Sequence, residues 1–311
     1  MKIPLVSVIV ISYNSANYIV ETLESIKTQT YQNIELIISD DFSKDHTISI
    51  AQNWLIKNKL RFTNSQILES NQNTGIAGNC NRGLKKASGK FIKYIAADDA
   101  LAQNCIELNY DYTLKHNAQI IHSNRLVYNE TFEESNFVKT TTLDGIMANN
   151  ELTAKNQFEF ELRDNVIGAP TVFFNADTLI KLGGFDERIQ MIEDWPIWIK
   201  ATKNNIKLHY MNEATVKYRV QSKSVSYNYK PQNIFTRLDI LLIDLYKIYI
   251  LPELSGLEKL ILQFELTRKM YFIKFNLIKN NQFNYWLNKI TIYPFVKYRW
   301  FKIKKINNAI N

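Results

Sequence analysis

Lys90-Phe91-Ile92-Lys93-Tyr94-Ile95-Ala96-Ala97-Asp98-Asp99 sets an apolar, strand-like run directly before two adjacent carboxylates. Aspartate is a poor strand former and is seldom fully buried without a partner. A pair of them at the mouth of a core strand therefore suggests oxygen ligands for a hard cation, itself ready to hold phosphate oxygens. The alternative is a turn in which one Asp caps the next helix. Upstream, Val6-Ser7-Val8-Ile9-Val10-Ile11 is a β-branched run of the kind found in a parallel strand buried on both faces. Ser12-Tyr13-Asn14-Ser15 breaks it, Ile19, Leu23 and Ile26 recur at helical spacing, and residues 34–39 make a second strand. That is a βαβ unit.

The alternation continues with a helix over 45–59, a strand near 66–69, a helix over 77–87 and the strand at 90–95 that delivers the acidic pair. Sheets of this kind bind ligands beyond the carboxyl ends of their strands, where the pair lies. A helix over 103–116 and a strand over 119–123 follow, and 128–165 reads as an irregular loop or hairpin excursion near a substrate site. Order returns at 169–174, then helices over 176–182 and 194–204, and one or two strands within 206–220. Long helical patterns replace the alternation from about residue 231, which divides the chain into an α/β catalytic domain, 1–228, and a helical module, 229–311.

The 311 residues are 46% hydrophobic, enough for real cores. No stretch approaches the roughly 20 apolar residues needed to span a bilayer, and 6–11 is too short for the apolar segment of a signal peptide. The chain is therefore expected in the cytoplasm. Two cysteines, Cys80 and Cys105, offer neither a disulfide framework nor a zinc spacing. The net charge is +8, yet from residue 258 onward eleven Lys or Arg face two acids, so the remainder is close to neutral. A basic, aromatic-rich tail suits an anionic membrane surface, a helical bundle or a homodimer contact; nothing in it resembles a nucleic-acid module.

Several short patterns agree in order and spacing, and together they resemble the family 2 glycosyltransferases, whose nucleotide-sugar-binding fold is called GT-A: a mostly parallel central sheet flanked by helices. The resemblance covers about residues 4–226. It assigns the turn Ile11-Ser12-Tyr13-Asn14 to the nucleotide base, and it makes Asp41, within Ile38-Ser39-Asp40-Asp41-Phe42, the residue that hydrogen-bonds the base. The family's common form has Gly at the position of Phe42. Asn73-Thr74-Gly75 and the following helix match the loop lying against the donor, with Asn73 and Gly75 as contacts and free helix-start N–H groups offered to phosphate. Many members carry Arg where this chain has Cys80, and Arg82 is displaced to another side of the helix.

Ala97-Asp98-Asp99 matches the family's Asp-x-Asp site in shortened form. The resemblance implies that Asp99 and both donor phosphates bind one Mg2+ or Mn2+, while Asp98 contacts ribose or orders the loop. Gly183-Gly184-Phe185-Asp186-Glu187 and Glu193-Asp194-Trp195 match the later motifs and place Asp194 as catalytic base. Glu193, Trp195, Arg219 and Lys223 become candidates for acceptor or phosphate contact. Gln221 stands where the family has His.

The implied function is inverting transfer of a sugar from a nucleoside diphosphate donor to a hydroxyl of a surface glycan on a lipid or saccharide carrier, at the inner face of the cell membrane. A nucleotidyltransferase also uses acids at a sheet edge, but it calls for a basic phosphate loop, and residues 12–17 hold neither Lys nor Arg. A non-catalytic nucleotide- or glycan-binding module is the third reading, motivated by Cys80 and Gln221.

Overall fold

The β-branched run at the start of the chain forms β1 (Val6–Ser12), and its alternate residues feed two different cores. Val6, Val8 and Val10 point to one face of the sheet, where they pack with Ile19, Leu23 and Ile26 of α1 (Ile19–Lys27). Ile9 points to the other, against Ile37, Ile92 and Tyr94. That two-residue period is the strand's own. The computed structural model describes residues 3–221, 234–279 and 281–308.

In chain order follow β2 (Ile34–Asp40), α2 (Thr47–Asn58), β3 (Asn64–Glu69), α3 (Gly75–Leu84), β4 (Phe91–Ala96), β5 (Ala100–Leu101), α4 (Cys105–His116), β6 (Ile120–Asn129), β7 (Phe137–Thr141) and α5 (Ala154–Glu161). Then come β8 (Phe173–Asn175), α6 (Ala176–Lys181), α7 (Trp195–Lys203), β9 (Leu208–Val220), α8 (Arg237–Leu245), α9 (Gly256–Lys274) and α10 (Gln282–Asn308). Among the described residues nine strands form one sheet in the order β3-β2-β1-β4-β8-β6-β9-β5, with β7 paired to β6. The pairs β3-β2, β2-β1, β1-β4 and β6-β9 are parallel, while β8, β5 and β7 pair antiparallel to their neighbours. The expected mostly parallel α/β sheet is thus present, and β1, β2, β4 and β9 bring their carboxyl ends to one edge.

Gly83 shows how closely α3 lies on the sheet. A Cβ there would sit 2.4 Å from Cγ2 of Ile9, so only glycine fits without movement.

Residues 128–165 are more ordered than the sequence suggested. β6 runs on to Asn129, β7 returns along it, and α5 begins at a capping box in which Thr153 and Asn156 satisfy each other's backbone N–H. The stretch 206–220 is one strand, β9. The expected boundary near 228 falls on residues outside the described ones. Beyond it, Ile243, Leu245, Tyr246, Ile250, Leu254, Leu262 and Leu266 join the same core cluster as Trp195 and Trp198. None of the described helices is long and apolar enough to cross a membrane.

Candidate active site

The carboxyl edge of the sheet opens into a cleft of about 270 Å³ whose walls include Ile11, Cys80, Tyr94, Asp98, Asp99, Glu193, Asp194, Trp198 and Arg219. Of the residues anticipated from sequence, it gathers Ile11, Asp98, Asp99, Glu193, Asp194 and Arg219.

Asp98 and Asp99 sit in the turn after β4. Asp99 is buried, and its Oδ1 accepts the backbone N–H of Arg219 at 2.9 Å, while its carbonyl accepts the hydroxyl of Thr22 at 2.6 Å. Asp98 is half-buried, and its Oδ2 accepts the side-chain amide of Gln221 at 3.0 Å. Burial raises the pKa of Asp98; burial and then the charge of Asp98 push Asp99 well above the usual carboxylate range. Two adjacent carboxylates that resist ionising together suit a divalent cation, whose charge would replace the shared proton. Asp98 is the more exposed of the two. The described residues contain no group of three or more His, Cys, Asp or Glu arranged around a metal position, so the remaining oxygens would come from the ligand and water.

Opposite lie Glu193 and Asp194, at the start of α7. Asp194 is its N-cap, with Oδ1 accepting the N–H of Trp195 at 2.8 Å, and Asn165 Nδ2 stands 3.4 Å from Oδ2. Burial raises the pKa of Asp194 against these donors, which favour the charged form. Burial, and then the charge of Asp194, brings Glu193 to about 7. Glu193 Oε2 is buried without a hydrogen-bond partner in the fold, while the indole N–H of Trp198 turns toward Asp194 and favours its charged form.

Other anticipated contacts have internal duties. Asp41 accepts the N–H of Thr74 and of Gly75 and pairs with Arg82 at 3.0 Å. The helix-start N–H groups expected to meet phosphate are therefore capped by Asp41, and Arg82 locks that carboxylate in place. Gly75 adopts φ +77 to complete the turn, and Asn73 Oδ1 accepts its N–H at 3.2 Å. Ser12 is buried and donates to Asp40 at 2.8 Å, bracing the turn. Asn14 holds the N–H of Lys44 through Oδ1, and the Tyr13 ring stands half exposed beside it. Phe42 takes φ +71, the left-handed conformation open to the glycine of the family pattern.

Two anticipated contact residues are engaged within the fold. Trp195 is core: its indole N–H donates to the Glu161 carbonyl at 2.8 Å and its ring packs against Tyr246, so no face is left for an acceptor sugar. Arg219 lines the cleft and is held as a strut. Its guanidinium bonds to the Asp98 carbonyl, the Glu130 carbonyl and the Glu21 carboxylate, and lies over the Phe132 ring. Lys223 lies outside the described residues.

Sequence reasoning missed Asn165, Glu21 and Glu161. Glu161 is fully buried with neither carboxyl oxygen partnered, and burial followed by the charge of Asp194 pushes its pKa well up. No motif marks these three; their link to the site is spatial.

Residues 7–180 match the family described as Glycosyl transferase family 2. A Haemophilus influenzae protein described as an uncharacterized glycosyltransferase is 29% identical over 276 residues, 88% of this chain and 99% of that one. The Escherichia coli UDP-Glc:alpha-D-GlcNAc-diphosphoundecaprenol beta-1,3-glucosyltransferase WfgD is 30% identical over 227 residues, 72% of this chain and 80% of that one. The chain spans 65% and 64% of the length of two Rickettsia relatives, from R. prowazekii and R. typhi. Among solved structures, S. aureus TarS 1-349 in complex with UDP-GlcNAc superposes with a TM-score of 0.61 at 20% identity, over 84% of this chain and 71% of that one. Pyrobaculum calidifontis mannosyltransferase PcManGT, in complex with GDP-Man and Mn2+, gives 0.52 at 18% identity, over 72% and 59%. With its family match over more than half its length and its sheet, acidic turn and α7 carboxylates in place, the chain belongs to glycosyl transferase family 2.

Proposed function

We propose that this protein is an inverting glycosyltransferase that moves a sugar from a nucleoside diphosphate to a hydroxyl of a surface-glycan acceptor carried on a lipid or saccharide. The observation that carries the reading is the convergence of Asp98 and Asp99 with Glu193 and Asp194, nearly a hundred residues apart in sequence, on one cleft. The named substrates of WfgD, a UDP-sugar and a diphosphoundecaprenol-linked acceptor, support the donor and acceptor classes. We place the reaction in the cytoplasm, at the inner face of the membrane.

Asp194 is the base. Burial strengthens it as a proton acceptor, and the N–H of Trp195 and the amide of Asn165 fix its orientation. It takes the proton of the acceptor hydroxyl as that oxygen attacks the anomeric carbon from the face opposite the leaving nucleotide. One displacement inverts the centre. Glu193, whose hold on a proton is strengthened by burial and by the charge of Asp194, receives a hydrogen bond from a sugar hydroxyl or donates one to it. A Mg2+ or Mn2+ held by Asp98 and Asp99 would supply charge compensation for the departing diphosphate. PcManGT, similar in fold, was solved in complex with GDP-Man and Mn2+. Tyr13, Asn14, Asn73 and Gly75 line the nucleotide side in this reading, where Asp41 and Ser12 shape the base site by fixing its turns.

Replacing Asp194 with Asn tests the assignment. Nucleoside diphosphate release from the cognate donor should fall by a factor of about 100 or more, while cation-dependent binding of that nucleotide, read by thermal shift over UDP, GDP, dTDP and CMP, stays. Unchanged turnover, or pyrophosphate as product, would refute it.

A further inference from the structure

We propose that the outer faces of α9 and α10 seat the protein on an anionic lipid surface. The inner face of α9 packs into the fold through Leu262, Leu266 and Phe272, as a helix of a globular protein should. The same helix carries a second apolar stripe. Leu257, Leu260, Tyr271 and Phe275 are separated by three, eleven and four residues, which places them within one narrow arc, and each is more than half exposed. In α10, Phe283, Trp286 and Ile290 repeat the spacing at 72%, 53% and 69% exposure. An ordinary surface helix does not leave such rows uncovered.

Charge selects the occupant. From residue 258 onward the sequence holds eleven cations against two acids; Arg268 and Lys269 are buried in the fold, while Lys274, Lys279, Lys289 and Lys304 are exposed. The exposed Lys274 and Lys289 stand over exposed rings, with Nζ 5.7 Å from the centre of Phe275 and 5.3 Å from that of Trp286. Aromatic rings flanked by lysines at their rim match the boundary between headgroups and acyl chains, the ring in the apolar layer and the ammonium among phosphates. A second copy of this chain would bring an equally basic face against the first, so an anionic surface fits and a like-charged one does not. With no described helix fit to cross the bilayer, the helices lie on it. The inference is independent of the reaction assigned above, since none of these residues lines the cleft.

The test is flotation of the full-length protein with phosphatidylglycerol-containing and with pure phosphatidylcholine vesicles. Wild type should float with the anionic vesicles and stay behind with the neutral ones. Lys274→Gln and Lys289→Gln should each lower the partition coefficient on the order of five-fold, the effect of one cation near a charged surface. The combined L257S, L260S, F283S and W286S variant should lose flotation while its nucleotide thermal shift is retained. Wild type that fails to float, lysine variants that bind as wild type does, or a dimer seen by light scattering that the serine variant dissolves, would overturn the proposal.

Discussion

His122 makes the fold acid-sensitive by an amount that can be worked out. It lies on β6, 1% exposed, beside the Tyr210 ring and with neither ring nitrogen hydrogen-bonded. Burial, then the neighbouring His209, lower its pKa from 6.5 to about 3. Because the folded value lies below the unfolded one, the unfolded chain takes up the proton first. Stability present above pH 6.5 is therefore lost as the pH falls toward 3, at about 1.4 kcal/mol per pH unit. Between pH 7 and pH 5 that amounts to about 2 kcal/mol. The buried acids respond in the opposite sense: Asp99, Glu161 and Glu193 have raised values, so they favour the folded state as the pH falls. Their effect is common to wild type and variant. His122→Phe keeps a planar ring and sacrifices no hydrogen bond. In urea denaturation at both pH values, the wild type should lose about 2 kcal/mol more than the variant. Equal pH dependence of the two proteins would refute the buried, neutral assignment of His122.

Gly83→Ala should destabilise by about 1 to 3 kcal/mol, since the new methyl must displace Ile9 or lift α3 from the sheet; an unchanged urea midpoint would contradict that packing. Asp99→Asn removes one of two adjacent buried charges and keeps an acceptor for the N–H of Arg219. The variant should melt higher than wild type in metal-free buffer at pH 8 and lose the added stabilisation from Mn2+ with nucleotide; a lower melting temperature without metal would show that the Asp pair is not strained.

The alternating first hundred residues were legible because their strands are β-branched runs and their helices carry apolar residues at the helical period. The acidic turn after β4 was legible because aspartate at a core-strand mouth conflicts with strand propensity. Less visible was what Arg219 does. Its backbone N–H meets Asp99 across 120 residues and its side chain meets Glu21 across 198, and such contacts leave no mark in local spacing. The internal partners of Asp41 were hidden for a related reason: a carboxylate ahead of a glycine-rich loop reads as a ligand acceptor, and nothing in local spacing shows that it also holds the N–H groups of Thr74 and Gly75 and the Arg82 guanidinium. β7 and α5 escaped because polar residues dominate them, β7 being an edge strand that exposes most of its side chains.

The charge of the cleft sets the order in which its ligands can be held. Among the described residues its walls carry four carboxylates, Asp98, Asp99, Glu193 and Asp194, against one guanidinium, and Arg219 is already paired with Glu21 and two carbonyls. Cys80 also lines the cleft, and burial holds its thiol neutral. A diphosphate entering alone would be repelled by those of these carboxylates that are ionised, each at about 4 kcal/mol for a 4 Å separation in a surface-like dielectric. A divalent cation cancels the Asp pair and attracts the phosphates, so the cation and the nucleotide must each raise the affinity of the other by the same factor. Calorimetric titration of the nucleotide at rising Mn2+ concentrations should show its affinity climbing by more than about tenfold, and titration of Mn2+ at rising nucleotide should show the same factor. A nucleotide that binds as tightly in EDTA as in Mn2+ would mean that the phosphates lie away from Asp98 and Asp99, and the assignment of this cleft to the donor would fall with it.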